Sequence, residues 1–577
     1  MNTKTIKIIL FIIALSILLP LVSSATTTTA QKAQNMRIGL RFGMGALGAV
    51  PSANLRNVEG FGNGFQFGHF NNEREFVPIG ARTSHDQITI LMDRNMVWHP
   101  ASTADGFGEY REGSSGGVVV GAFHIQLNRQ YDSFDAAREE ANAIEGGFVK
   151  YDSGRFFVSV GHFTSREAAA NALSARGFSG TAEINSGTAQ TVTVTVTGSS
   201  TILFEYENGS TPLGIMPVAT DGGNPETWFR GHRYHGGFQF ARLDDAMLTV
   251  VNFVGMEDYV KGVIPYEMGN MWPLEALKAQ AVCARSYAQT YRGRHSSHSF
   301  DICDTIHCQV YRGRANASIR SDQASEETAE MYMIHYGEVV RGYYSASNGG
   351  ASENSENVWN DALPYLRGVI DPYEAEVASR MPEGYEWRRT RTPEQIASYL
   401  RGRGHSISGS IVSLRISEFT PTGNVLSVTA TDGAGRQFTI SKREQLIGAL
   451  GIRTQRFTIG NVVWDGSIFV NDPAQSIGDS PQYFAINDKG EVTSIAKGAM
   501  YAITGTGAVQ AVTGGGTVSG GTDVRPSNGV FTMTGWGNGH NVGMSQWGAY
   551  SMAHYHDKTY IDILTFYYTD VTIGPLP

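Results

Sequence analysis

The sequence predicts an α+β chain of several domains, and three observations carry that prediction. Residues 36–117 are rich in Gly, Asn and Phe, with short pieces such as MRIGLRF and QITILM and no long helical period, which reads as a β-rich unit. Residues 118–187 change period in the order β, α, β, β, α, with TAEI as a closing strand, an arrangement that packs two helices on one sheet. Residues 191–577 mix strand patterns such as TVTVTVTG and MLTVVNFVG with helical ones, so a mixed α+β region comes after the insert. A length of 577 residues leaves room for about three to five ordinary domains.

Residues 1–25 stand apart. Lys4 and Lys7 precede an apolar run from Ile8 to Val22, and small residues end at Ala25, the pattern of a secretory signal or, uncleaved, of an anchor. The run is short against the roughly 20 residues that span a bilayer, and Pro20 interrupts it. Residues 26–35 read as a polar linker. The expectation is export to the cell wall or the outer face of the membrane, with membrane contact only through an uncleaved N-terminal segment. A net charge of -9, 41% apolar and 17% charged residues suit a globular protein, and the absence of a basic stripe argues against nucleic acid.

In the insert, VVVGAFHIQL reads as a strand, SFDAAREEANAIE as a helix stopped by Gly146, and GGFVKYDSGRFFVSVGHF as a hairpin. TSREAAANALSARG is a second helix, opened by a capping box of Thr164 and Glu167 and closed by Gly177. Further on, Leu274, Leu277, Ala281, Ala284, Ala288 and Tyr291 recur at three and four residues, with Pro273 at the start and Gly293 at the stop, while Lys278, Arg285 and Gln289 fall on or near another face. Thr392 and Pro393 open a helix that Gly402 ends, and Ser441 with Glu444 caps one that Gly451 ends. TGGGTVSGGTD, 513–523, has the composition of a flexible link.

Four stretches carry chemistry. Glu267 lies among Ile264, Met268, Met271 and Trp272, and an apolar surround raises a carboxyl pKa, as a general acid requires; the positive end of the next helix would oppose this, and a Glu that only caps that helix is the plain alternative. GWGNGHNVGMSQ sets four glycines around His540, with Gly543, Met544, Ser545 and Gln546 completing a turn whose backbone and side chains can meet a ligand. SASNGG, with Ser347, Gly349 and Gly350, can shape a second wall. HSSHSFDICDTIHCQVY places Cys303, His307 and Cys308 close together with His295 and His298 upstream, and zinc, a Cys303–Cys308 disulfide and free thiols all stay open on that spacing.

These stretches, in this order, resemble one family. VNFVGMEDYVKGVIPYEM, PLEALKAQAVCARSYA, FDICDTIHCQVY, SASNGGASENSENVW, PYLRGV and GHNVGMSQWGA closely resemble stage II sporulation protein D and its amidase-enhancer relatives, loosely over 36–117 and with specific motifs over 200–577. The resemblance implies a catalytic region with a long groove, Glu267 as its catalytic acid, Gln280, Arg285, Gln309 and Tyr311 as groove residues, and a structural zinc at Cys303, His307 and Cys308 with His298 as fourth ligand. No cofactor is required for the chemistry. It implies lytic cleavage of peptidoglycan glycan strands between N-acetylmuramic acid and N-acetylglucosamine, with a cell-wall amidase as a further partner. Two other classes stay alive: a glycan-binding enhancer of an amidase, and a muramidase-type hydrolase, which would need a second carboxylate such as Asp301, Asp304, Glu353 or Glu356. One departure is visible, since Trp536, Asn538 and Asn541 stand where the family's last motif has a basic residue, a tryptophan and a glycine. Residues 118–187, through FFVSVGHFTSREAAANAL, resemble the sporulation-related repeat domain, which binds glycan strands.

Overall fold

A computed structural model describes residues 35–460 and 523–577, apart from 45–47, 101–107, 208, 221 and 244–246, together with the backbone of four short strands between 482 and 511. The expected signal or anchor, and all but the last residue of the expected flexible link, lie outside the described residues. Among the described residues no helix is long and apolar enough to cross a membrane.

Two large sheets carry the first half of the chain. One runs in the order 302–303, 36–41, 248–254, 237–242, 213–219, 62–70, 76–83. The other runs 182–185, 123–131, 155–163, 147–152, 202–207, 192–196, 87–92, 52–57, 227–229, 232–234. Strands from 36–117 therefore pair with strands beyond 190 in both sheets, and the N-terminal stretch folds together with the segment on the far side of the insert. Met36 lies opposite Val254, and Ile38 lies between Asn252 on one side and Ile302 on the other.

The insert has the expected β, α, β, β, α, β order, with helices α1 (Phe134–Asn142) and α2 (Arg166–Ala175). The cap of α2 is Ser165, whose hydroxyl accepts from Ala168 N–H, not Thr164; the chain enters the helix one residue later than the capping-box pattern suggested. Strand 202–207 joins the insert's sheet in parallel, Val149 against Phe204, so the sheet continues past the insert. Both its faces bury residues. Val149, Tyr151 and Val158 are buried in the large core that also takes in Phe134 of α1, while the opposite face buries Phe148, Ser159 and an ion-pair group in which Glu205 meets Lys150 at 3.1 Å and His124 at 3.3 Å.

Helices α3 (Met256–Glu267), α4 (Leu274–Thr290) and α5 (Ile319–Glu327) share the large core with these sheets, and α6 (Ser355–Val358) comes next in the chain. Instead of one buried stripe, α4 buries residues on all sides, because α3, α5, α9 (Gln546–Tyr555) and α10 (Tyr560–Tyr567) all pack against it. A separate smaller core holds α7 (Pro393–Gly402), α8 (Lys442–Leu450) and the strands 411–419, 425–432 and 437–441. Thr392 caps α7 in a capping box with Gln395, and Gly451 ends α8 in the left-handed conformation. The Ser441–Glu444 box does not form: Glu444 is exposed and lies near Arg403.

Candidate active site

Glu267 is the last residue of α3, a helix that the sequence pattern hides because Pro265 interrupts it in the last turn. The acid thus sits at a negative helix end, which opposes ionisation and reverses the dipole argument drawn from α4 alone. Ile264 and Met268 are buried beside it, and Trp272 packs on Trp547 at 4.6 Å and Tyr550 at 5.1 Å. Met271 is 86% exposed and contributes nothing to the apolar surround, contrary to expectation. Burial pushes the Glu267 carboxyl above the usual carboxylate range, opposed by three neutral donors: the Val310 N–H at 3.2 Å, the Tyr344 hydroxyl and the Gln546 amide.

Two glycine-containing loops, nearly two hundred residues apart, supply Tyr344 and Gln546. They are joined by parallel pairing of Tyr344 with Met544 and Ser345 with Ser545. The joint is tight enough to require glycine: at Gly349 (φ 74°) a Cβ would lie 2.4 Å from the Trp536 carbonyl, and at Gly543 (φ 72°) 2.1 Å from that of Tyr343. Beneath both loops lies Glu374, a fully buried carboxylate that sequence reasoning missed. It accepts from Ser347 Oγ at 2.8 Å, Asn348 N–H at 2.6 Å, Gly349 N–H at 2.8 Å and the Ser545 hydroxyl. Burial, with Asp371 beside it, raises its pKa. Gly350 N–H donates to Asn348 Oδ1.

The residues expected to line a groove divide sharply. Gln309 and Gln280 are buried behind the acid. Tyr259 donates to Gln309 Oε1 and Gln309 Nε2 donates to Tyr344 Oη, each at 2.9 Å. Gln280 Oε1 accepts from Gln546 Nε2 at 3.3 Å, and among the described residues its own Nε2 is buried without a partner. These two glutamines orient the groups that hold Glu267; they do not line a wall. Arg285 is not in a groove either: it is fully buried, with Glu257 at 2.9 and 2.5 Å and the Met331 carbonyl at 3.1 Å. Tyr311 is likewise buried, donating to Asn252 Oδ1 at 2.9 Å.

Burial and the Arg443 charge push His540 down to about 3, so its ring is neutral at ordinary pH; Nδ1 accepts from Val542 N–H at 3.1 Å, and the ring is hydrogen-bonded to the Tyr344 backbone. It braces the loop beside Trp359 (5.1 Å) and Tyr343 (6.2 Å). Met544 is buried against Cys283. Asn541 explains one departure from the family motif: it takes φ 66°, the conformation a glycine adopts freely and Asn tolerates, and uses its side chain on the Asn348 carbonyl at 2.6 Å. The four other acids are all engaged: Asp301 with Arg37 and Arg74, Asp304 with Arg312, Glu353 with Thr420 and Asn424, and Glu356 with Arg367.

A second cluster lies two residues before Val310. The ligand atoms of His295, Cys303, His307 and Cys308 all fall within 4.8 Å of one another, and the cysteines are free thiols in this structure. Cys308 Sγ is 3.4 Å from His295 Nε2, and both sulfurs are 3.7 Å from His307 Nδ1. Two sulfurs and two imidazoles at such spacings fit a tetrahedral zinc donor set, whose ligand atoms stand roughly 3.3–3.8 Å apart. His298 is outside the group: the turn at Ser299 (φ 65°) leaves its ring against Phe42 and Phe300, and His295 takes the fourth place.

This site falls within a recognised class of chain. Residues 244–335, which hold α3, α4 and the Cys/His cluster, match the family model described as stage II sporulation protein. The chain is 29% identical over 375 residues to an uncharacterized protein of Brachyspira hyodysenteriae, covering 64% of this chain and 76% of that one. It is 28% identical over 318 residues to the amidase enhancer of Bacillus subtilis, covering 54% of this chain and 40% of that one. With the stage II sporulation protein D of the same organism, 26% identity extends over 199 residues, 32% of this chain and 55% of the relative. Residues 244–335 thus match the stage II sporulation protein family model, and the longer chain is similar to proteins named amidase enhancer and stage II sporulation protein D.

Proposed function

We propose that the chain is an exported lytic transglycosylase of peptidoglycan, acting in sporulation or cell-wall remodelling. One observation carries the reading: Glu267 is a desolvated carboxyl held by three neutral donors, with each alternative acid engaged elsewhere. Its raised pKa keeps a proton to give to the glycosidic oxygen as the bond from muramic acid C1 breaks. The resulting carboxylate, steadied by Val310, Tyr344 and Gln546, takes the proton of the same sugar's C6 hydroxyl as that oxygen bonds to C1, closing a 1,6-anhydro ring. The proton lent is recovered, and no water or second carboxylate is consumed. A hydrolase of the usual kind needs two carboxyls at set separations.

His295, Cys303, His307 and Cys308 would hold a structural zinc, which when bound fixes the turn leading to Gln309 and Val310. The insert, by its resemblance to the sporulation-related repeat, would add glycan affinity. The similarity to a protein named amidase enhancer favours a second reading, in which the groove binds glycan and activates an amidase. Incubation with peptide-free glycan strands separates these: anhydro ends support the lytic reading, free reducing ends a hydrolase, and intact strands a binder.

A further inference from the structure

Several arginines around the catalytic helices are paired with acids: Arg285 with Glu257, Arg312 with Asp304, Arg314 with Asp322, Arg367 with Glu356 and Arg453 with Glu383, while Arg320 and Arg380 meet neutral oxygens. Arg443, in the first turn of α8, has no acid partner among the described residues. It is partly buried, its Nε donates to the Gly539 carbonyl at 3.3 Å, and among the described residues its two terminal nitrogens have no acceptor and no acid lies within ion-pair distance. Burial alone lowers its pKa, with no acid offsetting it, and its charge reaches His540. The guanidinium is partly desolvated with no counterion, and its terminal nitrogens remain open to solvent and so to a ligand carrying the opposite charge.

The neighbouring residue is a second anomaly. Lys442 adopts φ 60°, a left-handed conformation that costs a non-glycine residue about 1 kcal/mol or more, and its Nζ donates to the Trp359 carbonyl at 3.0 Å and Asn360 Oδ1 at 3.3 Å. Strain and an uncompensated cation thus coincide where α8 meets the Trp359 and Gly539–His540 loops. The histidine is bonded to the backbone of Tyr344, whose hydroxyl holds Glu267. In the sequence, Trp536 stands where the family motif has a basic residue. A cation from another segment reaches the same loop.

We propose that Arg443 is a carboxylate-binding residue of the substrate groove, its free guanidinium edge taking a carboxylate of the glycan in a planar, two-point contact. This rests on the peptidoglycan reading above and adds a specificity determinant to it. Glycan strands offer that chemistry in two places: the lactyl carboxyl of muramic acid where the stem peptide is absent, and the carboxyls of the stem peptide where it is present.

The test uses the full chain carrying Glu267→Gln, so that strands are not consumed, and compares its affinity for peptide-free strands, peptide-bearing strands and strands whose carboxyls have been amidated. At least one unmodified preparation should bind about tenfold or more tighter than the amidated one. Preference for peptide-free strands assigns the lactyl carboxyl; preference for peptide-bearing strands alone assigns the stem peptide. Adding Arg443→Gln should abolish the preference while leaving affinity for amidated strands unchanged, and Arg443→Lys should restore part of it. Equal affinity for amidated and unmodified strands in the Glu267→Gln chain overturns the inference and leaves the glycan reading intact. A preference that survives Arg443→Gln overturns it too. Failure to bind any strand overturns both.

Discussion

The hydroxyl of Tyr344 is directed at the carboxylate of Glu267. Its oxygen already accepts from Gln309 Nε2 at 2.9 Å, and Gln309 is fixed in turn by Tyr259, so the Tyr344 proton has Glu267 as its acceptor. The acid is therefore tuned by opposing effects: burial and the end of α3 favour the protonated form, and three donors favour the ionised one.

Removing one donor should move that balance in a known direction. Tyr344→Phe leaves the ring and deletes the hydrogen bond to the ionised form, so the Glu267 pKa rises further. The alkaline limb of the pH–rate profile, where the proton donor is lost, should shift upward by roughly one unit. An unshifted profile with reduced rate would assign Tyr344 to packing alone.

Arg285→Ala should act on stability and not on substrate affinity. The side chain is fully buried on a bidentate partner, and its removal leaves a cavity and breaks that pair, which should cost about 2 kcal/mol or more, read as a lowered denaturation midpoint. A raised KM with unchanged stability would restore the expected groove role.

Glu374→Gln replaces one acceptor by an amide donor facing donors from both loops. Activity should fall more than tenfold while the 244–335 core stays folded. The pH dependence has a definite sign. A carboxyl whose folded pKa is raised contributes stability that is present below its unfolded pKa and lost as pH rises through the folded one. The stability difference between the parent and Glu374→Gln should therefore change as pH rises from the ordinary carboxylate range, with the parent losing ground; thermal melts across that range measure it.

Purified protein should carry about one zinc per chain, by elemental analysis. Cys308→Ser and His295→Ala should each lose it, and His298→Ala should keep it. Loss of metal in His298→Ala with retention in His295→Ala would reverse the ligand assignment.

Much of this was legible in the sequence where local signals agree. The α4 pattern, the Thr392 cap, the β, α, β, β, α, β order of the insert and the Cys303, His307 and Cys308 spacing all depend on neighbours in the chain. The features that escaped depend on contacts made at long range. Helix α3 has acids in its first turn and apolar residues at helical spacing, Tyr259, Val260 and Val263, which would have revealed it but for Pro265. Glu374 and Tyr344 carry no local mark, since only the pairing of 344–345 with 544–545 gives them their partners. The family resemblance puts Gln280 and Arg285 in a groove, yet α3, α5, α9 and α10 pack around their helix and bury both.

The most direct measurement is mass analysis of peptide-free glycan strands incubated with the parent and with Glu267→Gln, alongside their strand affinities. The account predicts 1,6-anhydro products from the parent, none from the variant, and equal binding by both. Anhydro products formed at the parental rate by Glu267→Gln would contradict it.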